Sequence, residues 1–311
     1  MPEGQCQLCG VDSILKLRHI LPAFAYRWLR ETSGNGHMRS ASSPNQRVQD
    51  GLKRYWLCAS CEGVLSESET RFASDMFYPY TEGASSRIVY GEWMLRFCVS
   101  VSWRVLKFHR EESALRDYDS EAVERIDKAL DVWKDFLLHR QPTPASYQQH
   151  MLPLGPIESA SKPGNLPTNI NRYMMRTIDM DLVKSPTTNF VYSKLGRFLI
   201  LGFIREDHPN RWQGTKINVK TGVVEPRNYS LPNQFLQYIN SRAHHIAKQQ
   251  TQLSERQRQK IDKAFQSNKG RLANSDQLLA MQSDIRMFGE AAFKDSRSSE
   301  PTHEEHNEKD Q

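Results

Sequence analysis

Cysteine is scarce in this chain, with five residues in 311. That is too few for a disulfide scaffold at this length and points to thiols kept reduced. Long apolar runs are missing too. The most apolar stretch, residues 88–108, carries Glu92, Arg96, Arg104 and Lys107, whereas a membrane-spanning helix needs about 20 nearly uncharged residues. The opening MPEGQCQLCG has neither a basic n-region nor an apolar h-region. No secretory signal and no membrane partner are therefore expected, and the expected setting is cytoplasmic. No Walker loop, GxGxxG turn or Ser-His-Asp pattern supports a nucleotide-binding enzyme or a serine hydrolase, and no internal repeat is visible.

What is present is a globular composition. Apolar residues make up 38% and charged residues 25%, enough to build a core at a length that allows one large domain or two modest ones. The net charge of +6 is unevenly spread. Residues 295–311 hold six acids against two bases, a net of −4 that leaves +10 on residues 1–294. Such a body permits nucleic-acid binding. Residues 242–271 are the densest basic stretch: Arg242, Lys248, Arg256, Arg258, Lys260, Lys263, Lys269 and Arg271 against Glu255 and Asp262. It could track a phosphate backbone, although only Phe265 offers a ring for stacking. A smaller group (Arg39, Arg47, Lys53, Arg54) lies nearer the N-terminus.

The hydrophobic period changes along the chain. From residue 88, Trp93, Phe97, Val101, Arg104 and Phe108 recur at helical spacing with apolar residues on the other side, which predicts a buried helix. Asp119-Ser120 opens a second helix through Val123, Ile126, Leu130, Trp133 and Leu137. Six prolines over 141–168 read as a connector. Strand patterns follow at 173–183, 190–192 and 198–204, the last two around a turn at Lys194-Leu195-Gly196, and a hairpin is expected between 215–219 and 222–224. Pro232 opens a long helix, and Ser254 with Gln257 reads as a capping box that restarts it. The expected fold class is α+β: an N-terminal module over 1–80, a helical segment over 81–140, the Pro-rich connector 141–168, a domain over 169–294 with a small antiparallel sheet and C-terminal helices, and a disordered acidic tail over 295–311.

Cys6-x2-Cys9 and Cys58-x2-Cys61 are the strongest chemical signal. A CxxC turn sets two thiolates on one side of a tight knuckle, and two such turns supply the four soft ligands of tetrahedral Zn²⁺. Gly10 fits the position of positive φ that closes a knuckle. Cys61 precedes the helical stripe Val64, Leu65, Phe72 and Met76. One pair on a hairpin and one at a helix start describes a treble-clef site, against the alternatives of two unrelated reduced pairs or a redox pair. Cys98, on the buried helix, reads as a small core side chain.

Between the pairs stands His19-Ile20-Leu21-Pro22, with His19 ten residues after Cys9, and the second pair follows as Leu57-Cys58-Ala59-Ser60-Cys61. With these motifs residues 1–75 resemble the zinc-stapled members of the HNH, or His-Me finger, endonuclease superfamily. The segment QDGLKRYWLCASCE also resembles a group of bacterial HNH-like proteins. The resemblance implies that His19 is a general base activating water against a phosphodiester, that one divalent ion, Mg²⁺ or Mn²⁺, neutralises the developing charge, and that the partner is nucleic acid, DNA ahead of RNA. By analogy it suggests bacterial defence.

This chain departs from the family pattern at several positions. Arg18 stands where the family has an aspartate, Glu62 where it often has a histidine, no asparagine precedes Cys58 within residues 53–57, and 48 residues separate Cys9 from Cys58, room for an inserted helix over Ala23–Glu31. Glu62, Ser66 and Glu69 fall at i, i+4 and i+7, on one helix face. Glu62 and Glu69 are thus the candidate metal carboxylates, unless that face is simply a solvated acidic one. His19 likewise has the alternative of a core histidine that orients the zinc knuckle. His37 reads as a surface loop histidine and Asp50, in Gln49-Asp50-Gly51, as a turn former. The second reading of the whole is a non-catalytic zinc-stapled module that binds nucleic acid or protein.

Overall fold

The computed structural model describes residues 2–40, 42–112, 115–116, 118–159 and 166–293. The acidic tail expected over 295–311 lies outside the described residues. In chain order, the N-terminal part runs β1 (Glu3–Gln5), β2 (Asp12–Ile14), β3 (Lys16–His19), α1 (Ala23–Glu31), β4 (Met38–Ser40), β5 (Ser43–Val48), β6 (Lys53–Leu57) and α2 (Ala59–Phe72). A π-helical turn at Ala73–Phe77 leads to α3 (Tyr78–Thr81), then β7 (Ile88–Tyr90), α4 (Trp93–Glu111) and α5 (Ser120–Leu137). The remainder is β8 (Gln149–Pro153), α6 (Ile170–Arg176), β9 (Ile178–Lys184), β10 (Thr188–Leu195), β11 (Phe198–Glu206), β12 (Gly222–Val224), α7 (Asn233–Thr251), α8 (Glu255–Ser267), α9 (Lys269–Ala273) and α10 (Asp276–Phe288). The chain is α+β. No described helix is long and apolar enough to cross a membrane.

The N-terminal module is built from two-stranded pairs. β1 and β2 form a hairpin, β3 pairs antiparallel with β6 so that His19 faces Lys53, and β4 pairs with β5. The expected inserted helix forms over Ala23–Glu31 and buries Phe24, Ala25 and Trp28. α2 and α4 bring Phe72 and Phe97 face to face at 3.9 Å between ring centroids, with Phe24, Phe77 and Phe198 packed around them. Burying each such ring contributes about 1.5–3 kcal/mol.

The central sheet has the antiparallel order β8-β11-β10-β9. Along β11, Phe198, Ile200 and Ile204 join the core shared with α2, α4 and α5, while Leu199, Leu201 and Phe203 join a second core with α6 and α7. This is the two-residue period of a strand buried on both faces. The first core runs unbroken from Cys6 to Val224, so the N-terminal module, the helical segment and one sheet face pack as one body.

Several elements differ from the sequence reading. Residues 88–90 form a strand, and the helix starts only after Gly91. Residues 170–176 form α6, helical where alternation suggested strand, because Ile170, Tyr173 and Met175 all find buried seats. β12 pairs with the distant β7 and not with 215–219, where Lys216 bridges to His150 instead. The Pro-rich stretch contributes β8, an edge strand whose Pro153 sits at its end, a place where proline is tolerated. Ser254 caps α8 through its carbonyl alone, with no side-chain capping bond. By contrast Asp119 caps α5 as expected, its carboxylate accepting from the Ala122 amide at 2.7 Å.

Candidate metal centre

The four cysteines of the two CxxC turns converge. The sulfurs of Cys6, Cys9, Cys58 and Cys61 all lie within 4.8 Å of one another, and Cys9 and Cys58 are 3.9 Å apart. A tetrahedral ion with bonds of about 2.3 Å requires sulfur separations of about 3.8 Å. The first knuckle closes through Gly10, whose φ of +80° lets its amide reach the Cys6 carbonyl at 2.8 Å. The Gln7 amide ties the same knuckle to β6 through the Trp56 carbonyl at 2.8 Å. The second knuckle opens α2: Cys58 is the N-cap, and its sulfur accepts from the Cys61 amide at 3.5 Å. One pair on a hairpin and one at a helix start is the treble-clef arrangement.

The donor chemistry fits a cation at this point. Burial would raise the Cys6 thiol, yet amides of Cys9, Cys58 and Leu8 outweigh it and bring the group down to about 7. Cys9 and Cys61 are pushed up, by burial first and then by neighbouring thiols. Four crowded thiols cannot all ionise by themselves; a divalent ion held among them removes that conflict. The cysteines are thus positioned to bind a metal ion, compatible with structural zinc. Cys98 is fully buried on α4, its thiol raised by burial, in the core role expected.

His19 ends β3, one strand away from the second knuckle. Its Nε2 is hydrogen-bonded to Asp50 Oδ1, and its ring stacks on Tyr26 at 5.9 Å between centroids. Asp50 also accepts from the Gly51 amide at 3.0 Å and pairs with Lys53 at 2.6 Å. Asp50 is therefore a turn former, as expected, and also the group that orients His19. Burial would raise its carboxyl; hydrogen bonds from Lys53, His19 and the Gly51 amide hold it down at about 2. Gly51 is needed for this packing, because a Cβ there would meet the Tyr26 ring at 2.2 Å. With the Nε2 proton directed at Asp50, the Nδ1 lone pair is the free acceptor of the ring, a tautomer assigned from the hydrogen-bond network.

Glu62 and Glu69 lie on α2, and each carboxylate meets an arginine. Arg18 Nε contacts Glu62 Oε1 at 2.9 Å. Arg104, 6% exposed on α4, pairs with Glu69 and donates to the His19 carbonyl at 3.2 Å and the Ser100 carbonyl at 3.1 Å. One guanidinium therefore joins β3, α2 and α4. Burial raises the Glu62 carboxyl, Arg18 and Arg104 lower it, and Glu69 raises it further, so all four charges feel one another. Among the described residues, the four cysteines are the one group of three or more potential ligands close enough to share an ion; His19, Glu62 and Glu69 do not gather in that way. Arg104 was legible only as part of an apolar helix stripe. It stands among apolar residues such as Trp103 and Val105, and its partners Glu69 and His19 lie 35 and 85 positions away in sequence.

His37 is exposed before β4. Burial and the charges of Arg47, Arg39 and Arg271 hold its imidazole below the ordinary range, which suits a loop histidine in a basic field and not a metal ligand. The basic stretch 242–271 divides in two. Arg242 pairs with Asp179 and Asp181, Arg258 donates to backbone carbonyls of Thr251 and Leu253, and Arg271 donates to the Ser33, Arg30 and Glu31 carbonyls. These three are internal clips. Compared with protein-family models, curated proteins and solved structures, the chain matches none.

Proposed function

We propose that the N-terminal module is an HNH-like, metal-dependent endonuclease that hydrolyses phosphodiester bonds in nucleic acid, DNA ahead of RNA, in a cytoplasmic setting, with structural Zn²⁺ on Cys6, Cys9, Cys58 and Cys61. The observation that carries it is the His19–Asp50 pair at the end of the strand beside the cysteine cluster. A carboxylate that fixes one imidazole nitrogen as a donor leaves the other as a proton acceptor, the requirement of a general base. In this reading Nδ1 of His19 takes the proton of the attacking water. Asp50 stabilises the imidazolium that results, and Tyr26 holds the ring plane. The tetrathiolate ion has no open position for water or phosphate. Catalysis then calls for a second, hard ion, Mg²⁺ or Mn²⁺; Glu62 and Glu69 would hold it only once released from Arg18 and Arg104, and the ion would supply charge neutralisation at the phosphate.

The ion pairs Arg18–Glu62 and Arg104–Glu69 favour a second reading, a non-catalytic zinc-stapled module that binds nucleic acid or protein. Wild-type protein assayed on plasmid DNA, single-stranded DNA and RNA, with Mg²⁺ and Mn²⁺ titrated, separates the two. The nuclease reading expects cleavage that needs added metal and falls steeply in His19→Ala while zinc content and melting temperature hold. Uniform inactivity with full zinc content selects the binding module.

A further inference from the structure

Three of the five remaining cations of the basic stretch share one face of α8. α8 buries no residue completely. Its half-buried side is Gln257, Arg258, Ile261, Ala264 and Phe265, the i, i+1, i+4, i+7, i+8 pattern of a docked face. Arg256, Lys260 and Lys263 are exposed and stand at i, i+4 and i+7 on the outward side, and among the described residues none has an ion-pair partner. Glu255 and Asp262, seven positions apart, occupy a different stripe.

α8 is docked next to other unbalanced cations. Gln257 accepts from Arg39 at 3.1 Å, the Ser254 amide donates to Asn45 at 2.8 Å, and Asn45 donates to the Gln252 carbonyl at 3.0 Å. The N-terminal end of α8 therefore meets the β4–β5 hairpin. In that hairpin Arg39 and Arg47 are cross-strand partners. Like charges placed directly opposite are destabilising, and no acid is paired with either among the described residues. Burial lowers the His37 imidazole most, and Arg47, Arg39 and Arg271 lower it further, in keeping with the same positive field. β5 leads within two residues to Asp50 and the His19 site.

We propose that the outer stripe of α8 (Arg256, Lys260, Lys263) and the Arg39–Arg47 rung form one continuous track for a nucleic-acid phosphate backbone, leading to the His19–Asp50 pair. The proposal rests on the nucleic-acid reading above but not on cleavage. A polyanion fits because the cations are repulsive to one another until phosphates lie between them, and because no aromatic side chain rises from the stripe for base reading. The track is therefore sequence-tolerant.

The test is fluorescence anisotropy of the full-length protein with a labelled 20-nucleotide strand and a 20-base-pair duplex, without added divalent metal, over a salt series. The variants are Arg256→Gln/Lys260→Gln/Lys263→Gln, Arg47→Gln, and Lys128→Gln on α5 as a control. The triple variant should bind the duplex at least about tenfold more weakly at 0.15 M salt, with the slope of log K against log salt reduced by about 2–3, at about 0.9 per phosphate contact. Arg47→Gln should lose about one unit of slope or less, and Lys128→Gln should match wild type. Wild-type slope and affinity in both track variants would overturn the proposal, as would wild-type protein that binds neither oligonucleotide or that prefers phosphatidylserine vesicles to both. Binding through the track with no cleavage under any metal would uphold the track and remove the nuclease reading. Cleavage with an unchanged KM in the triple variant would do the reverse.

Discussion

Asp50→Asn separates a positioning role from a structural one. The substitution keeps the shape of the side chain and its acceptor for the Gly51 amide but removes the charge facing His19 and Lys53. The Asp50 carboxyl falls from 3.8 to about 2 on folding, which at 1.36 kcal/mol per unit is about 2 kcal/mol before screening. Its side chain is 41% exposed, so solvent reduces this to about 1 kcal/mol. A carboxylate lowered on folding stabilises the fold above its unfolded value and loses that contribution as pH falls through the folded value. Asp50→Asn should therefore cost about 1 kcal/mol at pH 7, a fall of about 1–3 °C in melting temperature, and should flatten the stability profile between pH 4 and 2. Its effect on chemistry should be far larger. An asparagine can present either its oxygen or its amide to Nε2, so the imidazole tautomer is no longer fixed. Cleavage should drop by about 10²–10⁴-fold, and the ¹⁵N shifts of the His19 ring should move from the Nε2–H pattern toward a mixture. Two measurements check this: a nitrogen-correlated spectrum of the imidazoles, and cleavage rate against melting temperature. A variant that keeps a clean Nε2–H tautomer and at least half of the wild-type rate would refute the reasoning.

Further expectations follow from the same contacts. Purified protein should carry one zinc per chain by elemental analysis, and Cys58→Ala should lose both the metal and the N-terminal module, since such sites supply on the order of 10 kcal/mol of folding free energy. Glu69→Gln should destabilise the fold by about 2–4 kcal/mol by leaving buried Arg104 without its counter-charge; a neutral effect in denaturant titration would show that Arg104 does not depend on it. Phe72→Ala, at a ring with no exposure stacked on Phe97, should cost about 3–5 kcal/mol. Burial, with a smaller effect from Lys216, lowers the His150 imidazole to about 3. The unfolded chain then binds the extra proton between pH 6.5 and 3, and stability should fall by up to about 1.4 kcal/mol per unit as pH drops through that window. His150→Gln should flatten this slope.

The sequence was most readable where the determinants are local. The two CxxC spacings located the four cysteines that converge, the inserted helix was expected over Ala23–Glu31 where it forms, and Asp119 marked the start of α5. It was least readable where a partner comes from far along the chain. β12 pairs with β7 across more than 130 positions, and nothing in Gly222-Val223-Val224 itself specifies that partner over the nearer 215–219. Arg104 looks like an intruder in an apolar helix until Glu69 and the His19 carbonyl are placed against it. Asp50 sits in a plain turn sequence, so its contact with His19 depends on the β3–β6 register. In the basic stretch, charge count alone could not separate the internal clips Arg242, Arg258 and Arg271 from the outward stripe.

The C-terminal helices reach back over the exit of α1 and the β4–β5 hairpin: Gln277 accepts from the Gly34 amide at 2.9 Å, and Arg271 from α9 holds the Ser33 carbonyl at 2.9 Å. This orders events during synthesis. All four cysteines of the candidate metal centre have been made by residue 61, so the knuckles can capture an ion early. Residue 277 follows 216 residues later, which at about 5–20 residues per second is a delay of about 10–40 s. Throughout that interval the nascent chain can hold an ion at the four cysteines, while the exit of α1 and the β4–β5 hairpin remain without their C-terminal contacts. The outer stripe of α8 can join the Arg39–Arg47 rung only after residue 267 has been made. Polyanion binding on the proposed track would therefore come later in synthesis than metal capture at the knuckles.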